Sequence, residues 1–227
     1  MRITILTGAG ISAESGLATF RASDGLWENH RIMDVATPEG FAKDPALVHD
    51  FYNMRRKAAA AAQPNAAHLS LLRLATHHDV TLVTQNVDDL HERAGSSDVI
   101  HMHGALNRAT CAECGHGWPA PMVMSLGDPC PACGKPATRP DIVWFGEMPQ
   151  HMERIWQALE ASDLFVAIGT SGNVYPAAGF AQHAGRNGAT CLELNLDTSM
   201  NAADFDDQIL GPASRTVPAW VDDICRR

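Results

Sequence analysis

The sequence predicts an α/β fold: a Rossmann-like parallel-sheet domain carrying a helical insert and a small cysteine-rich insert. Three observations predict it. Short apolar runs, Ile3–Leu6, Val80–Val83 and Leu164–Ile168, alternate with helix-like stretches, as do strands of a parallel sheet covered on both faces. The first and last of these runs lead into glycine, at Gly8 and Gly169. A stretch rich in Cys, Pro and Gly and poor in periodicity, residues 105–140, interrupts the alternation. The sheet domain is assigned residues 1–20, 66–104 and 141–227, the helical insert 21–65 and the cysteine-rich insert 105–140.

The first strand runs into Gly8-Ala9-Gly10-Ile11-Ser12-Ala13-Glu14-Ser15-Gly16. Strand, glycines and helix start together suit a phosphate, because bare backbone N–H groups can approach it and the helix dipole favours its charge. The spacing is not that of the dinucleotide fingerprint: the third glycine follows the second by six residues rather than three, so hydride transfer is not implied. Residues 38–62 read as alanine-rich helix, with Pro38 and Pro45 as first-turn prolines. Pro64-Asn65 breaks that run, and residues 66–77 form an amphipathic helix with Leu69, Leu72 and Ala75 at helical spacing. Asp79–Thr84 is a strand ending in the polar cluster Gln85-Asn86-Val87-Asp88-Asp89, which opens another helix. Val99–Met102 is a short strand ending at His103-Gly104. Ile142–Phe145 reads as a strand, 151–161 as a helix, 164–168 and 190–195 as strands, and Arg215-Thr216-Val217 as a last strand. Gly8, Gln85, His103, Gly169 and Asn195 thus fall at the carboxyl ends of strands, where parallel sheets bind ligands.

Composition excludes several classes. The formal net charge is −9 without a basic block, which argues against a general nucleic-acid surface. The longest strongly apolar run, Leu164–Ile168, is far too short to cross a bilayer. Met1-Arg2 leads directly into a strand, so no signal peptide is expected. Four of the six cysteines form two pairs, which fits metal binding in a reducing compartment better than disulfides. The expectation is a cytoplasmic monomer with no membrane or direct nucleic-acid partner.

Cys111-x2-Cys114, fifteen residues, then Cys130-x2-Cys133 is a zinc signature. Two such turns complete a tetrahedron, and with all four positions filled by protein the Zn2+ is structural. Cys191 reads as core and Cys225 as incidental.

His103 sits at a strand end beside the Gln85–Asp88 cluster, and an imidazole with a pKa of about 6.5 can take a hydroxyl proton at neutral pH. His101 projects from the same strand face and is its rival. Asn86 and Asp88 are good helix N-caps, but capping needs only one of them. An amide and a carboxylate at a nucleotide cleft could instead hold a carboxamide and a ribose.

Together these stretches resemble the sirtuins, NAD-dependent protein lysine deacylases. The matching residues are Gly8 to Gly16, Thr19-Phe20-Arg21, Thr84-Gln85-Asn86-Val87-Asp88, His103-Gly104, the four cysteines, Trp144-Phe145-Gly146-Glu147, Gly169-Thr170-Ser171 and Glu193-Leu194-Asn195, in one order across nearly the whole chain. Ala18 stands where the family commonly has Pro and Val87 where it has Ile; neither change removes a polar group. The resemblance implies cleavage of the nicotinamide–ribose bond of NAD and transfer of a lysine's acyl group to the ribose, giving nicotinamide and O-acyl-ADP-ribose. It further implies that Ala9, Gly10, Thr170, Ser171 and Asn195 line the phosphates and adenosine, that Gly8, Ser12 and Gly169 also bind the cofactor, and that Arg21 and Gln85 approach the phosphate and ribose side. Asn86 and Asp88 would serve the nicotinamide end, Phe20 would shield the reacting carbon, and His103 would be the general base. The acyl-lysine peptide or protein would lie as an added strand between Phe145-Gly146-Glu147 and Val174-Tyr175. Tyr52 and Arg55, three apart and on one helix face, resemble the pair of the subgroup that removes succinyl, malonyl and glutaryl groups. Arg56 faces elsewhere and is expected to matter little. Two further readings stay open at this point: transfer of ADP-ribose to protein, and a zinc-ribbon binding module on a nucleotide-sensing domain without turnover.

Overall fold

The computed structural model describes residues 1–19, 26–27 and 30–226. In chain order its elements are β1 (Arg2–Thr7), α1 (Gly10–Ala13), β2 (Leu26–Trp27), β3 (His30–Arg31), α2 (Ile32–Val35), α3 (Pro38–Lys43), α4 (Pro45–Ala61), α5 (Ala66–Leu74), β4 (Asp79–Thr84), α6 (Leu90–Arg93), β5 (Ile100–His101), β6 (Gly104–Cys111), β7 (Gly117–Pro119), β8 (Thr138–Ile142), α7 (Met152–Ala161), β9 (Leu164–Ile168), α8 (Phe180–Arg186), β10 (Thr190–Asn195), β11 (Asp207–Leu210) and α9 (Ala213–Ile224).

Six strands form one parallel sheet in the order β5-β4-β1-β9-β10-β11. This is the doubly wound order, in which the chain leaves the central strand first to one side and then to the other. Along β1 successive side chains point to opposite faces. Ile3 and Ile5 join Leu82, Val166, Leu71, Leu74, Val217 and Val221 beneath α5 and α9. Leu6 joins Val83, Phe165, Ala167, Ile155, Leu159 and Phe180 beneath α7 and α8. Each large side chain so buried contributes roughly 1.5–3 kcal/mol. Burial on both faces explains why the sequence shows unbroken apolar runs. Both neighbours of β1 end level with it, Thr7 facing Thr84 on one side and Ile168 on the other, so the crevice opens at that edge.

Three sequence expectations are corrected. Arg215-Thr216-Val217 is not a strand but part of α9, because Val217, Val221 and Ile224 recur at helical spacing and pack on the sheet. The strand expected over 142–145 ends at Ile142, where Trp144 and Glu147 close a turn. The helix read over 38–62 is two helices. Asp44 separates them and caps the second by accepting from Leu47 N at 3.0 Å, and Pro38 and Pro45 each sit in a first turn.

Outside the parallel sheet, β6, β7 and β8 form an antiparallel sheet carrying the four paired cysteines' module. Helix α4 packs Val48, Phe51 and Tyr52 against Val87, Leu106, Ile142 and Trp144. It therefore forms a wall between that module and the carboxyl edge of the sheet. Among the described residues no helix is long and apolar enough to cross a membrane.

Candidate active site

A cleft of about 910 Å³ runs along the carboxyl edge of the sheet. Its floor is set by the loops after β1 and β9. A Cβ on Gly8 would lie 2.6 Å from Gly169 O, one on Gly10 would lie 2.6 Å from Gly169 Cα, and Gly169 has φ +64°. Only glycine lets these two loops lie against each other. The N–H groups of Gly8, Gly10 and Gly169 donate to Ile168 O, Gly169 O and Leu194 O, all at 2.9 Å. These three amides are thus spent inside the protein, and α1 is a single turn, so the simple picture of glycine amides and a helix dipole facing a phosphate does not describe this loop. Ala9, Thr170 and Ser171 line the cleft beside the glycines. Asn195, at the end of β10, ties itself to Thr170 O through Nδ2 at 2.7 Å.

At the β4 end, three polar side chains form one buried cluster. Ser12 Oγ donates to Asp88 Oδ2 at 3.1 Å and accepts from Asn86 Nδ2 at 3.2 Å. Asp88 Oδ1 caps α6 by accepting from Leu90 N at 3.1 Å. Asp88 is therefore both a cap and a cleft group. Burial pushes its pKa up, with the hydrogen bonds from Leu90 and Ser12 working the other way. The turn is fixed from below as well, because Asn86 N donates to Thr84 Oγ1 at 3.0 Å.

The two rival histidines have opposite surroundings. His103 lines the cleft, and its Nδ1 lies 3.2 Å from the carbonyl of Gln85, which can only accept. That contact fixes the neutral tautomer with the proton on Nδ1 and leaves Nε2 as the basic nitrogen. Burial lowers its pKa, the Gln85 contact offsetting only part of this, so the ring is neutral at physiological pH. His101 has both nitrogens engaged, Nδ1 with Asn86 O at 3.1 Å and Nε2 with Glu92 Oε1 at 2.7 Å. Burial pushes its pKa down, but Glu92 outweighs that and the net shift is upward.

Tyr52 and Arg55 both line the cleft from α4. Tyr52 is fully buried and its hydroxyl accepts from Trp144 Nε1 at 3.0 Å. The Arg55 guanidinium sits 4.9 Å from the Trp27 ring centre. Arg56 points away, as its position on the helix dictates, but it is also buried. Its guanidinium donates to Leu106 O at 2.6 Å, Asn53 Oδ1 at 2.9 Å and Met122 O at 3.3 Å. Sequence reasoning missed this clamp, because its carbonyl partners Leu106 and Met122 lie 50 and 66 residues away and leave no local signal.

Phe145, Gly146, Glu147, Val174 and Tyr175 all line the cleft. Phe145 and Tyr175 are exposed. The Glu147 carboxylate, however, is spent internally: it accepts twice from Arg139, at 2.7 and 3.0 Å, and once from Trp144 N at 2.8 Å. Arg139 also stacks 3.6 Å from the Trp144 ring centre. Glu147 therefore shapes the turn that presents Phe145 and Gly146.

The four paired cysteines converge, their sulfurs all within 4.8 Å of one another. Cys111 Sγ lies 3.7 Å from Cys133 Sγ, and Cys114 Sγ 3.8 Å from Cys130 Sγ. A tetrahedral zinc with Zn–S bonds of about 2.3 Å has S···S edges of about 3.8 Å, so the set fits one zinc ion. Each pair closes a matching turn, with Gly115 N donating to Cys111 O and Gly134 N to Cys130 O, both glycines at φ +71°.

Of the residues singled out from the sequence, Phe20 and Arg21 lie outside the described residues. The other residues expected to bind NAD or the acyl-lysine substrate, with His103, all line this one cleft, whereas His101, Arg56 and the cysteines do not. Comparison with known proteins gives a consistent answer. The model of the Sir2 family matches residues 8–176. An NAD-dependent protein deacylase of Salmonella typhimurium is 53% identical over 228 residues, covering 97% of this chain and 83% of that protein. A solved Sir2 homologue–NAD complex is similar with a TM-score of 0.90 at 38% identity, over 99% of this chain and 89% of that one. A Sir2 protein bound to a propionylated peptide gives a TM-score of 0.82 at 25% identity, over 97% and 92% of the two chains.

Proposed function

The chain belongs to the Sir2 family and is an NAD-dependent protein-lysine deacylase, and we propose that it removes succinyl, malonyl and glutaryl groups as well as acetyl. The observation that carries this reading is that Arg55 and Tyr52 line the same cleft as His103. A guanidinium stays charged at every physiological pH and presents a planar fork that matches a carboxylate. The Tyr52 oxygen already accepts from Trp144, so what the phenol offers a ligand is its proton. Burial holds its pKa well above the usual phenol value, which keeps that proton in place. Two donors on an otherwise apolar wall suit an acyl chain ending in a carboxylate. Each hydrogen bond to such a charge contributes roughly 1.5–3 kcal/mol.

The cleft also fits the co-substrate. It is near the upper end of the usual size for a small-molecule site, and it carries the Ser12–Asn86–Asp88 cluster together with Asn195 and the glycine loops. NAD supplies a glycosidic bond whose cleavage exposes an electrophilic ribose carbon. In this reading Asn86 and Asp88 hold the nicotinamide end, Gly8, Ala9, Gly10, Ser12, Thr170, Ser171 and Asn195 the phosphates and adenosine, and Gln85 the ribose side. His103 Nε2 accepts a hydroxyl proton, its Nδ1–H steadied by Gln85 O. The acyl-lysine peptide lies as a strand between residues 145–147 and 174–175.

The test is a panel of acetyl-, succinyl-, malonyl- and glutaryl-lysine peptides incubated with NAD and read by mass spectrometry. Nicotinamide release that requires an acyl peptide, with matching O-acyl-ADP-ribose for acidic and acetyl chains, is the expected result. Turnover of acetyl peptides alone would overturn the acidic-acyl reading, and NAD label retained on protein would point to ADP-ribosyl transfer.

A further inference from the structure

His101 and His103 grip successive carbonyls of one turn: His103 Nδ1 contacts Gln85 O at 3.2 Å and His101 Nδ1 contacts Asn86 O at 3.1 Å. Their second nitrogens differ. His103 Nε2 belongs to the cleft, whereas His101 Nε2 meets the Glu92 carboxylate at 2.7 Å. A carbonyl and a carboxylate are both acceptors only. A neutral imidazole has one N–H and can satisfy one of them; the imidazolium has two and satisfies both. We propose that His101 is a positioning residue, held as an imidazolium between Asn86 O and Glu92, which fixes the turn carrying Asn86 and Asp88 at the nicotinamide end of the cleft.

The turn is anchored at several points, with Gln85 N donating to Thr7 O at 2.9 Å and Leu106 N to Val87 O at 2.7 Å. Asn86 and Asp88 reach Ser12 through their side chains, and Asn86 N rests on Thr84, but the Asn86 carbonyl is held by His101. When the ring loses its second proton, the carboxylate is the stronger acceptor and draws the remaining N–H, so the Asn86 carbonyl is released. The titratable groups acting on His101 are Glu92 and His91 of α6 and Asp88 of the turn. Glu92 and Asp88 favour the cation. His91, whose pKa burial pulls well below the usual value, stays neutral and does not oppose it. His101 thus ceases to support the turn as pH rises through its raised pKa, while His103 ceases to act as a base as pH falls through its lowered one. One strand end supplies both limits of a pH profile.

The inference rests on the proposed role of Asn86 and Asp88, so it is tested by two independent readouts. The first is the ring state, from two-bond proton–nitrogen NMR spectra of the full chain, assigned with His101→Gln and His103→Gln. At pH 7 His101 should carry two ring protons and His103 one, on Nδ1. The second is the pH dependence of kcat/KM with an acyl peptide. In the wild type it should fall about tenfold at alkaline pH, in register with the His101 titration, as expected for loss of one charge-assisted hydrogen bond. Glu92→Gln, at a largely exposed position, offers an amide donor to Nε2, so a neutral ring can keep its Nδ1–H on Asn86. That variant should lose the alkaline fall and keep the acid one. A neutral His101 at pH 7, or an alkaline fall that persists unchanged in Glu92→Gln, overturns the proposal. Absence of acyl-dependent NAD turnover in the wild type at pH 7 would instead fault the deacylase reading.

Discussion

Trp144 Nε1 donates to the Tyr52 hydroxyl oxygen across 3.0 Å, although the two residues stand 92 positions apart. The bond joins helix α4 to the turn at residues 144–147 that lines the cleft, since Trp144 is also gripped by Arg139 and its backbone N–H is capped by Glu147. Its chemical consequence is polarity. In the proposed reading the phenol, whose oxygen accepts from Trp144, donates its proton to a carboxylate-ended acyl chain.

His103→Ala should lower kcat by about 10²–10⁴-fold, the usual size of a general-base contribution. ADP-ribose affinity, measured by calorimetry, should remain near the wild-type value, because the ring's Nε2 serves proton transfer. His101→Ala should cost about tenfold, the order of one charge-assisted hydrogen bond. A larger loss from His101 than from His103 would mean that the base has been misassigned.

Arg56→Met should destabilise the protein by about 3 kcal/mol, since it strands the buried Leu106 carbonyl and removes the partly buried bonds to Asn53 and Met122. For a chain of this size that lowers Tm by roughly 5–10 °C. Desuccinylation and deacetylation should fall together. A drop in desuccinylation alone would make Arg56 a second carboxylate-binding residue instead.

Cys130→Ser should release zinc and lower solubility, because ligand binding energy in such a module is folding energy. Inductively coupled plasma mass spectrometry of the purified variant gives the metal content. A folded, active and metal-free Cys130→Ser protein would show that the cluster is dispensable.

Acid should destabilise the fold in a definite window. Burial pushes the His68 pKa down to about 4, and His91, tilted against it with ring centres 4.9 Å apart, is also depressed by burial. Below about 6.5 the unfolded chain binds protons that the folded chain cannot, so stability falls as pH drops from there toward 4. For His68 alone the loss integrates to about 3 kcal/mol. Urea unfolding at pH 7 and pH 5 should show the decline, and equal stability at both would contradict the buried neutral pair.

Much of this architecture was legible in the sequence for a physical reason. Strands buried on both faces must be continuously apolar, and Ile3–Leu6 and Leu164–Ile168 are. Zinc knuckles must place two thiolates with two residues between them, and glycine loops must pack where a Cβ cannot. What was not legible depends on partners distant in the chain. Nothing local to Arg56 reveals the carbonyls of Leu106 and Met122, and nothing local to Glu147 reveals Arg139. Thr216-Val217 look like strand residues, and only the helical recurrence at 217, 221 and 224 places them in α9. The protonation states of His101 and His103 were likewise hidden, because they are decided by what faces each second nitrogen.

In the proposed function Arg55 and Tyr52 read the carboxylate of an acidic acyl chain in the cleft they share with His103. The most direct measurement is kcat/KM for succinyl- and acetyl-lysine versions of one peptide, in the wild type, Arg55→Met and Tyr52→Phe. Arg55→Met should lower desuccinylation by about 10–100-fold, the size of a hydrogen-bonded charge pair, and leave deacetylation within a few-fold of the wild type. Tyr52→Phe should act in the same direction, with an added loss of stability from the orphaned Trp144 N–H. An equal fall of both activities in Arg55→Met, or no fall in either, would contradict the selectivity claim while leaving the deacylase chemistry in place.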